Sequence, residues 1–354
     1  MAVHKIAVLG GDGIGPEVIA QAVRAVSAAV AKFEPGHSLA LTDLPWGSDY
    51  YKKHGRILPT DGWETLAKHD AIFFGAVGSP DVSDTVTVHE LLLPMRRKFD
   101  QYVNLRPAYL FDGVPCPLAG KKPGDIDMLV YRENTEGEYA PAGGKLYPGT
   151  EREVAIQNAV FTRGGCERIL RAGFEAARKR PRKKLTSITK SNALIYGFTL
   201  WDDAYESVRK DYPDVSSHSL LVDAAAMDFV RKPESFDVVV ASNLFGDILT
   251  DLSAAVAGSI GLASSANIDP TKRYPSMFEP VHGSAPDITG LGIANPLAAV
   301  LSGALMLDHL ELPKAAEAVR EAVKLVLKTG KAKTKDVGGT ATTVQVGDAV
   351  VEAI

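Results

Sequence analysis

Two hydrophobic patterns alternate along the chain. Short runs rich in β-branched residues predict strands, and longer segments with apolar residues three or four positions apart predict helices. The first strand, 5–9, precedes a helix that begins near Pro16 and carries Ile19, Val23, Val26 and Val30 on one stripe. Further strands are predicted at 38–44, 71–77, 103–109, 126–131, 185–189, 218–222 and 237–241, and further helices at 61–68, 88–100, 163–180, 193–210, 245–258, 295–310 and 313–328. This alternation predicts an α/β protein whose mainly parallel sheet is covered by helices.

The segment 133–162 departs from this pattern. It is rich in glycine, tyrosine and threonine and has no helical period. We predict an arm of the kind that pairs with a neighbouring subunit. No internal repeat or obvious linker separates the remaining elements, so we expect interleaved rather than sequential lobes.

Composition limits the classes of function. The chain has 354 residues, which is enough for two lobes or one large α/β domain. A net charge of −4 gives no reason to expect nucleic acid or an anionic membrane as partner. Two cysteines, Cys116 and Cys166, argue for a reducing compartment. No apolar stretch is long enough to span a bilayer and no leader precedes the first strand, so we predict a cytoplasmic protein.

Two aspartates, Asp247 and Asp251, follow the buried strand that ends near Ser242. Their i, i+4 spacing puts both carboxylates on one face of the next helix. Like charges so placed repel each other unless a cation lies between them, and hard divalent cations prefer oxygen ligands. The pair therefore predicts a metal site. The simpler alternative, that Asp247 only complements the positive end of the helix dipole, explains one acid but not the second.

Two glycine-containing loops are candidate cofactor sites. The turn from Gly10 to Pro16 resembles the glycine-rich fingerprint of dinucleotide-binding folds, and Asp43 is an acidic residue at roughly the spacing that this fingerprint needs. The match is weak because a proline follows the last glycine. The alternative is a flexible turn at a strand end. The second loop, His282–Ile288, is more specific because its small residues leave backbone N–H groups open to phosphates. A base and ribose could be contacted by His282, Asp287 and Asn295. Asn295 could instead be only the cap of the helix that starts at Pro296.

Polar residues cluster at the predicted strand and helix ends. Guanidinium groups match carboxylates bidentately, so convergence of Arg96, Arg106 and Arg132 would suit a di- or tricarboxylate, although each alone suits a surface ion pair. Tyr139 follows a glycine-containing stretch, and Lys190 and Asp223 each end a strand. Such positions line the ligand crevice of open α/β sheets.

These motifs together resemble one known family, the metal-dependent β-decarboxylating dehydrogenases of 2-hydroxy acids. Its members include isopropylmalate, isocitrate, homoisocitrate, tartrate and D-malate dehydrogenases. The resemblance extends from Gly11 to about Leu310 and is most specific in Asn243–Asp251 and His282–Ile288. The runs 99–107, 132–139 and 241–247 look closest to the tartrate and D-malate branch.

The resemblance implies a two-lobed, isopropylmalate-dehydrogenase-like α/β fold in which helices flank a large mixed sheet. This is not a Rossmann fold, so the turn at 10–15 loses its fingerprint interpretation. The first lobe would comprise residues 1–101 and 258–354 and carry the NAD-binding loops. The second, residues 102–257, would carry the dimer interface, the arm and the metal aspartates.

The resemblance also implies roles for the site residues. Arg96, Arg106 and Arg132 would bind substrate carboxylates, and Tyr139 with the partner subunit's Lys190 would form the acid–base pair. Mg²⁺ or Mn²⁺ would bind Asp247 and Asp251 together with the partner subunit's Asp223, and a requirement for K⁺ stays open. NAD would contact the following residues: His282, Gly283, Ser284, Ala285, Pro286, Asp287, Ile288, Asn295 and Asn192.

The residues before Arg96 bear on substrate choice. Where tartrate- and D-malate-type relatives typically carry tryptophan, this chain has His89, followed by Glu90. Both polar residues disfavour a large aliphatic substituent. We therefore predict a homodimeric, NAD-dependent dehydrogenase of D-malate or tartrate, with 3-isopropylmalate dehydrogenase as the main alternative. The alternative from another class is a non-catalytic nucleotide-binding module, which would need no proton relay.

Overall fold

The computed structural model describes residues 2–354 and is built on one large mixed sheet. Its strands are β1 Ala2–Gly11, β2 His37–Asp43, β3 Ala71–Ala76, β4 Val103–Tyr109, β5 Asp127–Glu133, β8 Lys184–Thr189, β9 Ser216–Leu221, β10 Val238–Ala241, β11 Ser264–Ile268 and β12 Ser276–Pro280. A separate antiparallel pair, β6 Gly143–Leu146 and β7 Val154–Gln157, forms the arm.

The α-helices are α1 Gly15–Phe33, α2 Ser48–His54, α3 Gly62–Leu66, α4 Asp84–Val86, α5 Leu93–Lys98, α6 Arg163–Lys179, α7 Gly197–Val208, α8 Val222–Arg231, α9 Asn243–Val256, α10 Leu297–His309, α11 Pro313–Thr329 and α12 Thr343–Ala353. Between α4 and α5 the chain forms a π-helical segment, Thr87–Leu92. The single helix predicted at 88–100 is therefore interrupted. Pro94 cannot donate the backbone hydrogen bond that a continuous α-helix needs there.

The strand order is β2-β1-β3-β12-β11-β4-β5-β10-β8-β9. Most neighbours are parallel, but β11 runs antiparallel to both β12 and β4, and β4 runs antiparallel to β5. The order differs from that of a Rossmann sheet. The predicted class, an α/β fold with a large mixed sheet, is confirmed.

Helices pack on both faces of the sheet. Over β1 and β3, buried residues of α1, α10, α11 and α12 form the core on one face, and residues of α2 and α5 form it on the other. Over β5, β8 and β10, α6 and α7 pack on one face and α8 and α9 on the other. The chain enters the second half of the sheet after α5 and returns to the first half at β11.

The glycine turn after β1 packs against the second glycine-containing loop. A side chain at Gly13 would meet the Ser284 carbonyl oxygen at 2.0 Å, and the Ile14 amide donates to that oxygen at 2.9 Å. The Asp12 carboxylate is buried and accepts hydrogen bonds from the Ser48 amide and hydroxyl and from the Gly78 amide. This turn is therefore a structural support for the loop at 282–288.

Candidate active site

A cavity of about 580 Å³ lies beside the middle of the sheet. It brings together all three predicted arginines with Tyr139 and Asp247. Arg106 on β4 and Arg132 on β5 occupy diagonal positions of one antiparallel pair, since Arg106 lies opposite Val130 and Arg132 opposite Asn104. Arg96 reaches the cavity from α5. The cavity therefore joins residues that are separated widely in the sequence.

The three guanidinium groups are buried and held by fixed partners. Arg96 Nη2 donates to Glu279 Oε1 at 3.0 Å. Arg106 Nη1 donates to Thr250 Oγ1 at 2.7 Å and to Asp247 Oδ1 at 3.1 Å. The Nε groups of Arg96 and Arg106 have no protein partner. The three guanidinium groups give this part of the cavity positive charge, which favours an anionic ligand.

Arg132 is the most constrained of the three, being 1% exposed. Its Nε and Nη2 donate to Asn243 Oδ1 at 3.0 and 2.6 Å, and its Nη1 bonds to Asp247. Burial, together with the charge of Arg106, lowers the pKa of Arg132 to about 9. The guanidinium therefore remains charged at neutral pH, and the cavity keeps a cluster of cations suited to carboxylates.

The Asp247 carboxylate accepts hydrogen bonds from two of the arginines and from Tyr139. Its Oδ1 accepts from Arg106 and Arg132, and its Oδ2 accepts from the Tyr139 hydroxyl at 2.8 Å. Burial favours a higher pKa for this carboxyl, but the charges of Arg132 and Arg106 outweigh it and lower the pKa. Asp247 is thus an ionised carboxylate, as a metal ligand must be.

Asp251 lies one turn further along α9 and is exposed, 3.9 Å from Arg106 Nη1. Burial and the charge of Asp247 raise its pKa against the opposing effect of Arg106. The helix begins at Asn243, two residues before the predicted start, so Asp247 lies beyond its first turn. The alternative that Asp247 merely complements the helix dipole is therefore wrong.

The Tyr139 hydroxyl is set up to hold a proton. Burial and the hydrogen bond to Asp247 raise its pKa to about 12. The ring also lies against Arg132, whose guanidinium carbon is 5.3 Å from the ring centre. At neutral pH the phenol is protonated and is a possible proton donor toward a ligand in the cavity.

Lys190 and Asp223 lie away from this cavity, at the carboxyl ends of β8 and β9 near the far edge of the sheet. Lys190 Nζ donates to Asp223 Oδ1 at 2.7 Å, and this bond lowers the pKa of Asp223. Asn192 is exposed nearby. Within residues 2–354, no three histidine, cysteine or acidic side chains form a metal-binding cluster. Within one chain, Asp223 therefore does not lie with Asp247 and Asp251.

A second cavity, of about 470 Å³, lies beside the loop His282–Ile288. Four predicted cofactor residues line it, and they are His282, Ala285, Ile288 and Asn295. His282 lines the first cavity as well, together with Gly283, and its Nε2 is buried without a partner. Burial lowers the pKa of this imidazole, so it is neutral at pH 7. The loop therefore connects the two cavities.

The other predicted cofactor residues lie around the loop. Ser284 is buried, and its carbonyl oxygen accepts a hydrogen bond from the Ile14 amide. Pro286 and Asp287 belong to a short 3₁₀ turn, in which Asp287 is exposed. Asn295 makes two hydrogen bonds through its side chain. Its Oδ1 accepts from the Leu297 amide at 3.0 Å, as a cap would, and its Nδ2 donates to Asp336 at 2.9 Å inside the cavity.

Sequence reasoning missed three acidic residues of the site. Glu138 and Glu279 line the first cavity and Asp336 lines the second. Glu138 directly precedes Tyr139, and Glu279 lies shortly before the loop that begins at His282. Their positions beside predicted site residues could have marked both as candidates. Asp336 is 41 positions from its partner Asn295 and has no local signal.

The chain is similar to known proteins over nearly its whole length. The family model described as isocitrate/isopropylmalate dehydrogenase matches residues 5–350. The chain is 51% identical to D-malate dehydrogenase [decarboxylating] of Escherichia coli (strain K12), over 100% of this chain and 99% of that protein. It is 49% identical to tartrate dehydrogenase/decarboxylase of Pseudomonas putida, over 99% and 97%. The crystal structure of isocitrate dehydrogenase from Methylococcus capsulatus superposes with a TM-score of 0.89 at 36% identity, covering 99% of both chains.

Proposed function

Since the chain belongs to the isocitrate/isopropylmalate dehydrogenase family, we propose that it oxidises and decarboxylates a malate-like 2-hydroxy acid, D-malate or tartrate, with NAD and Mg²⁺ or Mn²⁺. The observation that carries the proposal is the cavity in which three buried arginines, Asp247 and Tyr139 converge. A dicarboxylate would be matched by the positive charge of the three guanidinium groups. The names of the two relatives support the choice of acid.

A second candidate substrate has one observation in its favour. Val88, Leu92 and Leu93 line the same cavity and would contact an alkyl substituent. This is the recognition that a 3-isopropylmalate dehydrogenase would need. His89 lines the cavity beside them and provides a polar contact that suits a hydroxyl or hydrogen at C3 instead. We favour the malate-like acids because of His89 and the two relatives.

The metal site is proposed to span two subunits. Asp247 and Asp251 would bind the cation together with Asp223 of the partner subunit. These residues fit the group because ionised carboxylates are the oxygen donors that Mg²⁺ and Mn²⁺ prefer. The Asp247 carboxylate is held toward the cavity by Tyr139 and two arginines.

The second cavity is proposed to hold the adenosine part of NAD. Its polar groups Asn295 and Asp336 suit an adenine or ribose, and Ile14, Ile260 and Ile288 suit the flat face of a base. His282 lines both cavities, so a cofactor that extended between them would pass this residue. We also keep Asn192 of the partner subunit as a proposed contact.

Different residues of the chain would bind the substrate and transfer protons in the reaction. The arginines bind the substrate carboxylates and fix C2 and C3 in the cavity. The partner's Lys190 accepts the proton of the 2-hydroxyl, and after CO₂ leaves the 2-keto acid, Tyr139 donates its proton to C3. When bound, a divalent ion would supply Lewis acidity and NAD would supply a hydride acceptor.

A homodimer is part of the proposal. Large apolar side chains are exposed beside Lys190 and Asp223 and on the arm, and contiguous apolar surface of this kind is typical of subunit interfaces. On the first surface they are Leu194, Ile195, Tyr196, Met227 and Ile248, and on the arm they are Leu146, Tyr147, Val154 and Ile156. Each subunit would donate Lys190 and Asp223 to its partner's cavity. The lobe boundaries, 1–101 with 258–354 and 102–257, are proposed to follow the same division.

The remaining expectations concern partners and location. The charge pattern gives no nucleic-acid or membrane partner, and within residues 2–354 none of the helices has the length and apolar character to cross a bilayer. Residence in the cytoplasm, and a role for K⁺, stay predictions.

The test is NADH formation with a panel of acids, each with and without Mn²⁺. The panel contains D-malate, L-tartrate, meso-tartrate, 3-isopropylmalate and isocitrate. We expect the highest kcat/KM for D-malate or a tartrate, loss of activity on chelation, and one CO₂ released per NADH with D-malate. Preference for 3-isopropylmalate would replace the substrate assignment, and no NADH with any acid would favour the nucleotide-binding module.

A further inference from the structure

Glu138 immediately precedes Tyr139 and lines the same cavity, but its carboxylate faces helix α9. Its Oε1 accepts from the Ser242 hydroxyl at 2.8 Å, and its Oε2 accepts from the Leu244 amide at 3.1 Å. These contacts join a loop to the first turn of the helix that carries Asp247 and Asp251.

This arrangement replaces the usual helix cap. Ser242 occupies the N-cap position of α9, but its side chain accepts no hydrogen bond from the helix. The hydroxyl donates to Glu138 instead, and Glu138 accepts the Leu244 N–H that an N-cap side chain would normally accept. A residue about one hundred positions away in the chain therefore caps the helix.

Further contacts fix the same loop on the same turn. The Asn243 side-chain amide donates to the Glu136 carbonyl oxygen at 3.0 Å, and Arg132 donates to Asn243. Gly137 has φ +77, and a side chain there would meet Asn243 Cβ at 3.3 Å. The loop thus lies tightly on α9, with the Tyr139 hydroxyl 2.8 Å from Asp247 Oδ2.

We infer that Glu138 is a positioning residue that sets the distance between the Tyr139 hydroxyl and the carboxylate of Asp247. It acts by holding the loop that carries the acid against the helix that carries the metal ligands. Outer-shell contacts of this kind orient groups whose own geometry decides reactivity. The inference rests on the proposed function, because positioning is measured through metal binding and turnover.

The experiment measures Mn²⁺ binding by the loss of the free-ion EPR signal, and kcat and KM for D-malate, in three variants. Glu138→Ala removes both hydrogen bonds, and we expect roughly 10- to 100-fold losses in Mn²⁺ affinity and kcat. Glu138→Gln retains one acceptor and one polar partner for Ser242, and should recover most of both. Ser242→Ala removes one bond and should lose about 3- to 10-fold.

Glu136→Ala is the matched control, because Glu136 lies two residues earlier in the same loop. Its carboxylate accepts from the Thr162 amide and hydroxyl at 2.9 and 2.8 Å, at the start of α6, which carries no proposed site residue. We expect lower thermal stability in Glu136→Ala with unchanged Mn²⁺ affinity.

Three results would overturn the inference. They are wild-type Mn²⁺ affinity and kcat in Glu138→Ala, equal damage in Glu138→Gln and Glu138→Ala, or equal loss of Mn²⁺ affinity in Glu136→Ala. If Glu138→Ala is insoluble, wild-type behaviour of Ser242→Ala decides against it in the same way. Failure of the wild-type protein itself to bind Mn²⁺ or to form NADH would count against the proposed function instead.

Discussion

The Asp247 carboxylate has a different partner on each side, which makes it the most informative single residue to change. It joins Arg106, Arg132 and Tyr139, and it is one of the few anions proposed to hold the metal. We expect Asp247→Asn to abolish metal-dependent turnover, because the site needs several anionic ligands. Rates measured against rising Mn²⁺ test this, with the exposed Asp203→Asn as control. Substantial activity of Asp247→Asn at saturating Mn²⁺ would argue that Asp247 is not a ligand.

Tyr139 and Lys190 are predicted to fail at different steps. The Tyr139 pKa of about 12 keeps its proton available for C3, whereas Lys190 is assigned the hydroxyl proton at C2. Loss of one general acid or base typically costs about 10²–10⁴-fold. We expect Tyr139→Phe to retain more of the hydride step than of the complete reaction, and Lys190→Met to lose both. Pre-steady-state NADH formation and CO₂ release distinguish the two, and equal loss of hydride transfer in both variants would refute the assignment.

Cofactor preference is expected to depend on Asp287. It lies in the exposed 3₁₀ turn next to Ala285 and Ile288, which line the second cavity. The segment from His282 to Ser302 contains no lysine or arginine, although Lys335 lines the same cavity. A carboxylate there would bond ribose hydroxyls and repel a 2′-phosphate. A hydrogen bond to a charged group corresponds to roughly 10- to 100-fold in affinity. We predict that Asp287→Ala lowers the NAD/NADP ratio of kcat/KM, and an unchanged ratio would remove Asp287 from the explanation.

At the level of residues, the sequence predicts which groups converge better than how they are bonded. The positions of Arg96, Arg106, Arg132 and Asp247 at strand and helix ends were enough to select them as candidates, although each arginine alone also suits a surface ion pair. The bond from Glu138 to the start of α9 was not predictable, since it depends on how closely two distant segments pack. The same is true of Asp336 beside Asn295.

Helix α9 approaches strand β5 closely at one glycine, and this contact sets the position of Arg132. A side chain at Gly246 would meet Arg132 Cβ and Cγ at 2.6 and 2.7 Å, and Arg132 is too buried to move freely. We expect Gly246→Ala to destabilise the protein by about 1–3 kcal/mol through overpacking and to lower kcat/KM. Denaturant unfolding and steady-state kinetics measure both effects.

Gly164 provides the control for that substitution. It lies in the first turn of α6, and a β-carbon added there would have no atom within 4 Å. Gly164→Ala should therefore leave stability unchanged or raise it by up to about 1 kcal/mol. If Gly246→Ala were as stable and as active as Gly164→Ala, the close approach of α9 to β5 would not be needed for the site.

Elements were predicted where the hydrophobic period is strong. Helices α1, α6, α10 and α11 and strands β3, β4 and β8 lie close to their predicted positions. Strands β11 and β12 were missed because each has five residues and includes polar positions whose burial depends on the centre of the sheet. Helices α2, α8 and α12 were missed as well. In the arm, the absence of helical period was a correct signal, but the pairing of β6 with β7 was not foreseen.

On the scale of the whole molecule, one continuous sheet separates the parts of the proposed site. The arginines and Asp247 surround the cavity near β4 and β5, while Lys190 and Asp223 follow β8 and β9 at the far edge. The two groups are apart within one chain, and exposed apolar side chains lie beside the second. The proposed two-fold dimer would bring them together. Sequence patterns do not give the separation between these two groups of residues in the folded chain.

The central claim is that two chains build one active site that oxidises a malate-like acid. The direct measurement is the activity of a heterodimer that pairs Lys190→Met with Tyr139→Phe, obtained by co-expression with two different tags and purified through both. Each variant homodimer lacks one group of the acid–base pair at both sites, whereas the heterodimer rebuilds one complete site. We predict about half of the wild-type, Mn²⁺-dependent rate of NADH formation from D-malate or tartrate. A purified heterodimer no more active than its two parent homodimers would contradict the claim.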